Sequence, residues 1–120
     1  MTEPPVRATL RAAITRAMKQ RDREAAGIYR TALAAIDNAE AVPIGEPERA
    51  GAIEQSPVGV GRAEATRRQL SAAEMTDVVR REAQEREAAA ESLADANPQA
   101  ADRLRHAARL LLDLLDLVLP

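Results

Sequence analysis

The chain has 120 residues, the length of one modest domain, and a formal net charge of -2. Phe, Trp and Cys are absent and Tyr29 is the single aromatic residue, which disfavours strands and excludes disulfides, thiolate metal sites and cysteine nucleophiles. Ala, Leu, Arg and Glu dominate the sequence, and all four are good helix formers. The composition therefore predicts an all-α protein.

Neither a membrane span nor a signal peptide is evident. The apolar run over residues 110–119 is interrupted by Asp113 and Asp116 and is shorter than the roughly 20 residues that a membrane-spanning helix needs. The start of the chain, MTEPPVRATL, lacks the basic and apolar segments of a signal peptide. We therefore expect a cytoplasmic protein without membrane contact.

Two helices are predicted first, over residues 5–19 and about 22–41. The apolar stripe of the first helix has helical spacing and consists of Val6, Leu10, Ala13, Ile14, Ala17 and Met18. The stripe of the second consists of Ile28, Tyr29, Ala32, Leu33, Ile36 and Ala39. Asp22 suits an N-cap, and the short connection at Gln20 and Arg21 predicts an antiparallel hairpin. Gly27 marks either a close helix crossing or a neutral surface position.

Residues 43–69 lose the helical period and contain four of the five glycines and three prolines. A loop of this length in a compact domain tends to be functional, mobile or disordered. Its scattered apolar residues favour a partly ordered loop that lies against the rest of the protein. Disorder and a partner-binding segment are the alternatives.

A second hairpin is predicted after the loop, with helices over about 71–94 and 98–118. Ser71 and Glu74 have the spacing of a capping box, and Asn97 precedes a proline as an N-cap does. The last helix is leucine-rich around most of its circumference, so it is either a central helix or a contact with a second copy or another protein. One domain, residues 1–120, is expected: a small four-helix bundle of two antiparallel hairpins joined by a long loop.

The sequence predicts no catalytic, cofactor or metal site. His106 is the only histidine and follows Asp102 by four residues, whereas a di-iron bundle takes several carboxylates and a histidine from each of two helices. No glycine-rich phosphate loop follows a predicted strand.

Positive charge is concentrated at the start of the chain. Residues 1–30 contain seven basic and three acidic residues, a balance of +4, whereas residues 31–60 contain one basic and five acidic residues, a balance of -4. The positive segment is either an ordinary solvated helix surface or a contact with an anionic partner such as RNA. The candidate contacts are Arg7, Arg11, Lys19, Arg21, Arg23 and Arg30.

Two blocks of the sequence resemble the YqeY-like family, also called GatB/YqeY-domain proteins. The first block consists of Met18, Lys19, Arg21, Asp22, Glu24, Arg30, Leu33, Ala35, Ile36, Asn38, Ala39 and Glu40. The second consists of Leu70, Ser71, Glu74, Val78, Glu82, Arg86 and Glu87. The closing Leu119 and Pro120 resemble a further motif. Val118 departs from the tyrosine that is usual before it, and the loop is longer than in the common family pattern.

The richness in alanine and arginine fits a bacterial genome. The resemblance implies an association with carbon–nitrogen ligase activity that uses glutamine as amido-N-donor. Its partners would be tRNA or subunits of the glutamine-dependent tRNA amidotransferase. Typical members continue into a second helical domain that resembles the tail of the amidotransferase B subunit, and this sequence ends at Pro120. Because no residue pattern here binds ATP or hydrolyses glutamine, we expect a non-catalytic accessory domain.

The resemblance also selects polar positions that are candidates for function. They are Asp22, Asn38, Glu40, Glu82 and Arg86. The alternative for these residues is a structural role, as caps and as ion pairs between the second and third helices.

Overall fold

Four helices make up most of the chain that the computed structural model describes, residues 4–41 and 69–119. They are α1 (Pro5–Lys19), α2 (Arg23–Ala41), α3 (Ala72–Leu93) and α4 (Pro98–Val118). All four helices contact one another, most extensively α3 with α4 and α1 with α2. The predicted all-α bundle of two hairpins is confirmed. The loop predicted over residues 43–69 lies, apart from Gln69, outside the described residues, as does Pro120.

Local side-chain caps set the starts of three helices, as the sequence predicts. An oxygen of Asp22 accepts a hydrogen bond from the Ala25 N–H at 3.0 Å, at the start of α2. Ser71 and Glu74 form the reciprocal capping box of α3, with N···O distances of 3.1 and 2.9 Å. Asn97 accepts a hydrogen bond from a backbone N–H in the first turn of α4. Each cap satisfies a backbone donor that has no partner within the helix.

Alanine supplies about half of the core. Of the 19 buried apolar residues in the described part of the chain, ten are alanines. The larger buried side chains, such as Leu10, Ile36 and Leu111, form one central cluster with contributions from all four helices. A separate cluster at the α1–α2 turn contains Ala17, Ala25 and Ala26, with Tyr29 and Leu110 packed against it. The bundle therefore ends at this turn in a layer built on small side chains.

An ion-pair network links α1 and α2 at the end of the first hairpin that lies away from the turn. The Arg7 guanidinium on α1 donates to Asp37 at 2.6 Å and to Glu40 at 2.9 Å, both on α2. The second oxygen of Glu40 accepts a hydrogen bond from the Leu70 N–H at 3.2 Å, just before α3. The Arg7 and Glu40 side chains are only 13% and 16% exposed. The hydrogen bond to Asp37 is the main cause that raises the pKa of Arg7.

Met18 is more exposed than the sequence predicts, and the surroundings of Gly27 decide between its two predicted roles. Met18 belongs to the predicted apolar stripe of α1, but its side chain is 55% exposed. The reason is its place in the last turn of α1, where Ala17 takes the buried position. A Cβ atom at Gly27 would meet nothing within 4 Å, so this glycine is not a close helix crossing.

We predict that Glu40→Ala lowers the free energy of unfolding by about 1–3 kcal/mol, because it removes one of the two carboxylates that pair with the largely buried Arg7 guanidinium and leaves the Leu70 N–H without its acceptor. Urea denaturation followed by helical circular dichroism measures this loss. Asp102→Ala is the control, since it removes an exposed pair with Arg105 and should change stability by less than about 0.5 kcal/mol. Equal effects of the two substitutions would contradict a structural role for Glu40.

Candidate anion-binding site

An open recess of about 500 Å³ lies at the turn between α1 and α2. Its lining consists of Met18, Arg21, Asp22, Arg23, Ala26 and Arg30. The backbone of the turn is held by hydrogen bonds from the Arg21 N–H to the Met18 carbonyl at 3.0 Å and from the Asp22 N–H to the Ala17 carbonyl at 2.8 Å. Three of the six arginine and lysine residues that the sequence proposes as partner contacts therefore line one recess.

Backbone geometry and helix periodicity place the three arginines. Arg21 has a φ of 60°, the only positive value of a non-glycine residue in the described chain. This left-handed conformation is uncommon for a side chain with a Cβ, and here it reverses the chain after α1. Arg23 and Arg30 are seven residues apart on α2, which is about two helical turns, so they share one face.

The described lining of the recess is cationic. Within residues 4–41 and 69–119, no carboxylate forms an ion pair with Arg21, Arg23 or Arg30. Arg30 donates a hydrogen bond to the Met18 sulfur at 3.0 Å, which is a weak acceptor. Asp22 is the only acidic residue among the described residues that line the recess, so the formal charge of this described lining is +2. Such a recess can attract an anion and donate hydrogen bonds to it.

The other predicted contact residues lie elsewhere. Arg7 is held in its ion pairs with Asp37 and Glu40, which give it a structural role at the other end of the hairpin, and its contact with a partner stays a prediction. Arg11 and Lys19 are exposed on α1 but do not line the recess.

Most of the family-matched polar residues also have partners inside the protein. Asp22 caps α2 and Glu40 accepts from Arg7 and from the Leu70 N–H. The Glu82–Arg86 pair has an N···O distance of 3.0 Å and lies within α3, so it is not the pair between helices that the sequence alternative describes. Asn38 is exposed on α2 and lines a shallow groove of about 370 Å³ that also includes Glu82.

The sequence did not predict that Met18 and Ala26 line the recess, because both are apolar and Met18 belongs to the predicted apolar stripe of α1. The spacing of Arg23 and Arg30 was the available signal, since positions seven apart lie on one helix face. No local pattern predicts that Arg7 meets carboxylates 30 and 33 residues further along the chain.

The described chain offers little for other chemistry. None of its groups of His, Cys, Asp and Glu side chains could hold a metal ion, and His106 is exposed on α4. No helix among the described residues is long and apolar enough to cross a membrane.

Fold and site together define a small helical bundle with a cationic recess at the tip of one hairpin. Comparisons of the chain with protein-family models, with curated proteins and with solved structures found no match. The likeness to YqeY-like proteins therefore remains a prediction that rests on the sequence motifs.

Tyr29 offers a spectroscopic test of the packing next to the recess. Burial is the main cause that raises its pKa above the ordinary value of 10.0, while the charge of Arg16 lowers it and that of Asp113 raises it. Because the folded pKa exceeds the unfolded one, the neutral phenol stabilises the fold fully below about pH 10, and this stability is lost as pH rises through the folded pKa.

We therefore predict that phenolate absorbance in the native protein titrates at a higher pH than in urea. Tyr29 is the only tyrosine and tryptophan is absent, so the signal is unambiguous. Arg16→Gln should raise the native midpoint further, and Asp113→Asn should lower it. A native midpoint at or below the unfolded one would show that Tyr29 is not packed as described.

Proposed function

We propose that this protein is a non-catalytic YqeY-like accessory domain that contacts tRNA, free or bound to a glutamine-dependent amidotransferase, through the recess at the α1–α2 turn. One observation carries the proposal. Three arginines without carboxylate partners in the described chain line a single concave site. Two of them, Arg21 and Arg30, also belong to the sequence block that resembles the family.

The chemistry of the recess suits phosphate oxygens. A guanidinium has five N–H donors in a planar fork that matches two oxygens of one phosphate, and it keeps its charge at all physiological pH values. Contacts of this kind position an RNA without reading its sequence, and they weaken as salt rises because bound counterions are released. Amide transfer itself would be the work of the amidotransferase partner, and this domain would contribute binding.

We predict that the double variant Arg23→Gln, Arg30→Gln binds tRNA about tenfold more weakly than the wild type at low salt. Its log–log salt dependence should also be shallower by about 1 for each arginine that contacts a phosphate. Fluorescence anisotropy with labelled tRNA, at low and at moderate salt, measures both quantities.

A double variant on α3, Arg80→Gln, Arg81→Gln, is the matched control, because it removes the same charge from residues that do not line the recess. It should lose less than about half of the affinity. Equal losses in the two variants would indicate a general charge effect, and no saturable binding of wild-type protein at low salt would overturn the proposal.

A second candidate function is self-association through α4. The end of α4 and the residue that follows it expose apolar side chains, since Leu117 is 72% exposed and Leu119 is 41% exposed. The exposed side of the same helix has Arg109 followed by Asp113 and Asp116. Two antiparallel copies of α4 would bring the basic residue of each copy towards acidic residues of the other.

For this candidate we predict a dimer whose dissociation constant rises about tenfold or more in Leu117→Gln, because one buried leucine contributes roughly 1.5–3 kcal/mol. Light scattering over a concentration series measures the change. Met18→Gln is the control, since it removes another exposed apolar side chain on α1. A wild-type protein that stays monomeric at every concentration would exclude the dimer.

A further inference from the structure

The recess combines cationic groups with exposed apolar surface, and a simple anion site needs only the former. The exposed apolar surface is that of Met18, whose thioether side chain is 55% exposed; Ala26 also lines the recess, but its side chain is buried. The volume of about 500 Å³ falls in the range of roughly 300–1,000 Å³ that small-molecule sites occupy. The recess is therefore large enough for a ligand with both an anionic and an apolar part.

The contact between Arg30 and Met18 makes a surface suited to a flat aromatic ring. The Arg30 Nη2 atom lies 3.0 Å from the Met18 sulfur, so a planar guanidinium and a polarisable thioether stand side by side. Guanidinium planes stack on nucleobases, and methionine sulfur makes favourable contacts with aromatic rings. Neither property helps to bind a bare phosphate.

The charge of the lining matches one terminal phosphate. Three arginines and Asp22 give a formal charge of +2, and a phosphate monoester carries about -1.5 to -2 at neutral pH. Asp22 cannot turn away from the site without giving up its hydrogen bond to the Ala25 N–H. Its fixed negative charge disfavours ligands with more highly charged phosphate chains.

We propose that the recess binds a nucleoside 5′-monophosphate group, with its phosphate on Arg21 and Arg23 and its base against Arg30 and Met18. The group can come from a free nucleotide or from the 5′ end of an RNA. The second source rests on the proposed function, whereas the first stands without it. Base stacking of this kind tolerates any base.

The experiment compares AMP, inorganic phosphate and adenosine by calorimetry and by the NMR signal of the Met18 methyl group. AMP should bind at least tenfold more tightly than phosphate or adenosine. The Met18 methyl signal should shift upfield with AMP and stay unchanged with phosphate, because only AMP brings an aromatic ring. Met75, which is 2% exposed, is the internal reference, and Met18→Leu assigns the signal.

Variants separate the two halves of the site. Met18→Ala should weaken AMP binding about threefold or more and leave phosphate binding unchanged, whereas Arg21→Gln should weaken both. Asp22→Asn keeps a good N-cap and should strengthen the binding of both. Circular dichroism of each variant, matched to that of the wild type, excludes unfolding as a cause.

Equal binding of AMP and phosphate, or an unshifted Met18 methyl signal, would overturn this inference even if tRNA binds through the arginines. Binding of AMP without binding of tRNA would support it with the free nucleotide as the source, and would count against the proposed function. A single-stranded RNA with a 5′-phosphate that binds more tightly than its 5′-hydroxyl form would identify the RNA end as the source.

Discussion

The contact of Glu40 with Arg7 and with the Leu70 N–H is the constraint on which the arrangement of the bundle depends most. It joins the start of α1, the end of α2 and the residue that leads into α3. Both charged side chains are largely withdrawn from water, so loss of Glu40 leaves Arg7 with Asp37 as its one carboxylate partner in the described chain and leaves the Leu70 N–H without its acceptor. The alanine-rich core supplies little bulk with which to compensate, since short side chains bury little apolar area.

The same network engages one of the six basic residues that the sequence proposes as partner contacts, Arg7. It engages Arg7 and Asp37 at one end of the first hairpin, and thus leaves the cationic set at the other end, around the α1–α2 turn. There the core consists of Ala17, Ala25 and Ala26, and the outer surface has arginines that form no ion pairs within the described chain. The ion-pair network and the candidate binding site therefore lie at opposite ends of the α1–α2 hairpin.

The sequence predicts the helices well because their signals are local. Asp22, the Ser71–Glu74 box and Asn97 act within four residues of their own positions, and the structure confirms each cap. The candidate site is predicted only in part, because the sequence proposes six basic contacts and the recess collects three of them. The role of Arg7 depends on residues 30 and 33 positions away, and the exposure of Met18 depends on how the turn leaves α1. Neither follows from helical periodicity.

The polar residues in the sequence blocks that resemble YqeY-like proteins fall into two groups according to their contacts in the structure. Asp22, Glu40, Glu82 and Arg86 all bond within the protein, so a structural role is enough to account for these four side chains. Arg21 and Arg30 are different, because they are matched, exposed and without carboxylate partners in the described chain. Arg21 also takes a left-handed backbone conformation that a glycine or asparagine would adopt with less strain. Under the proposed function, an arginine would be kept at this position for the contacts of its guanidinium and not for the conformation of the turn.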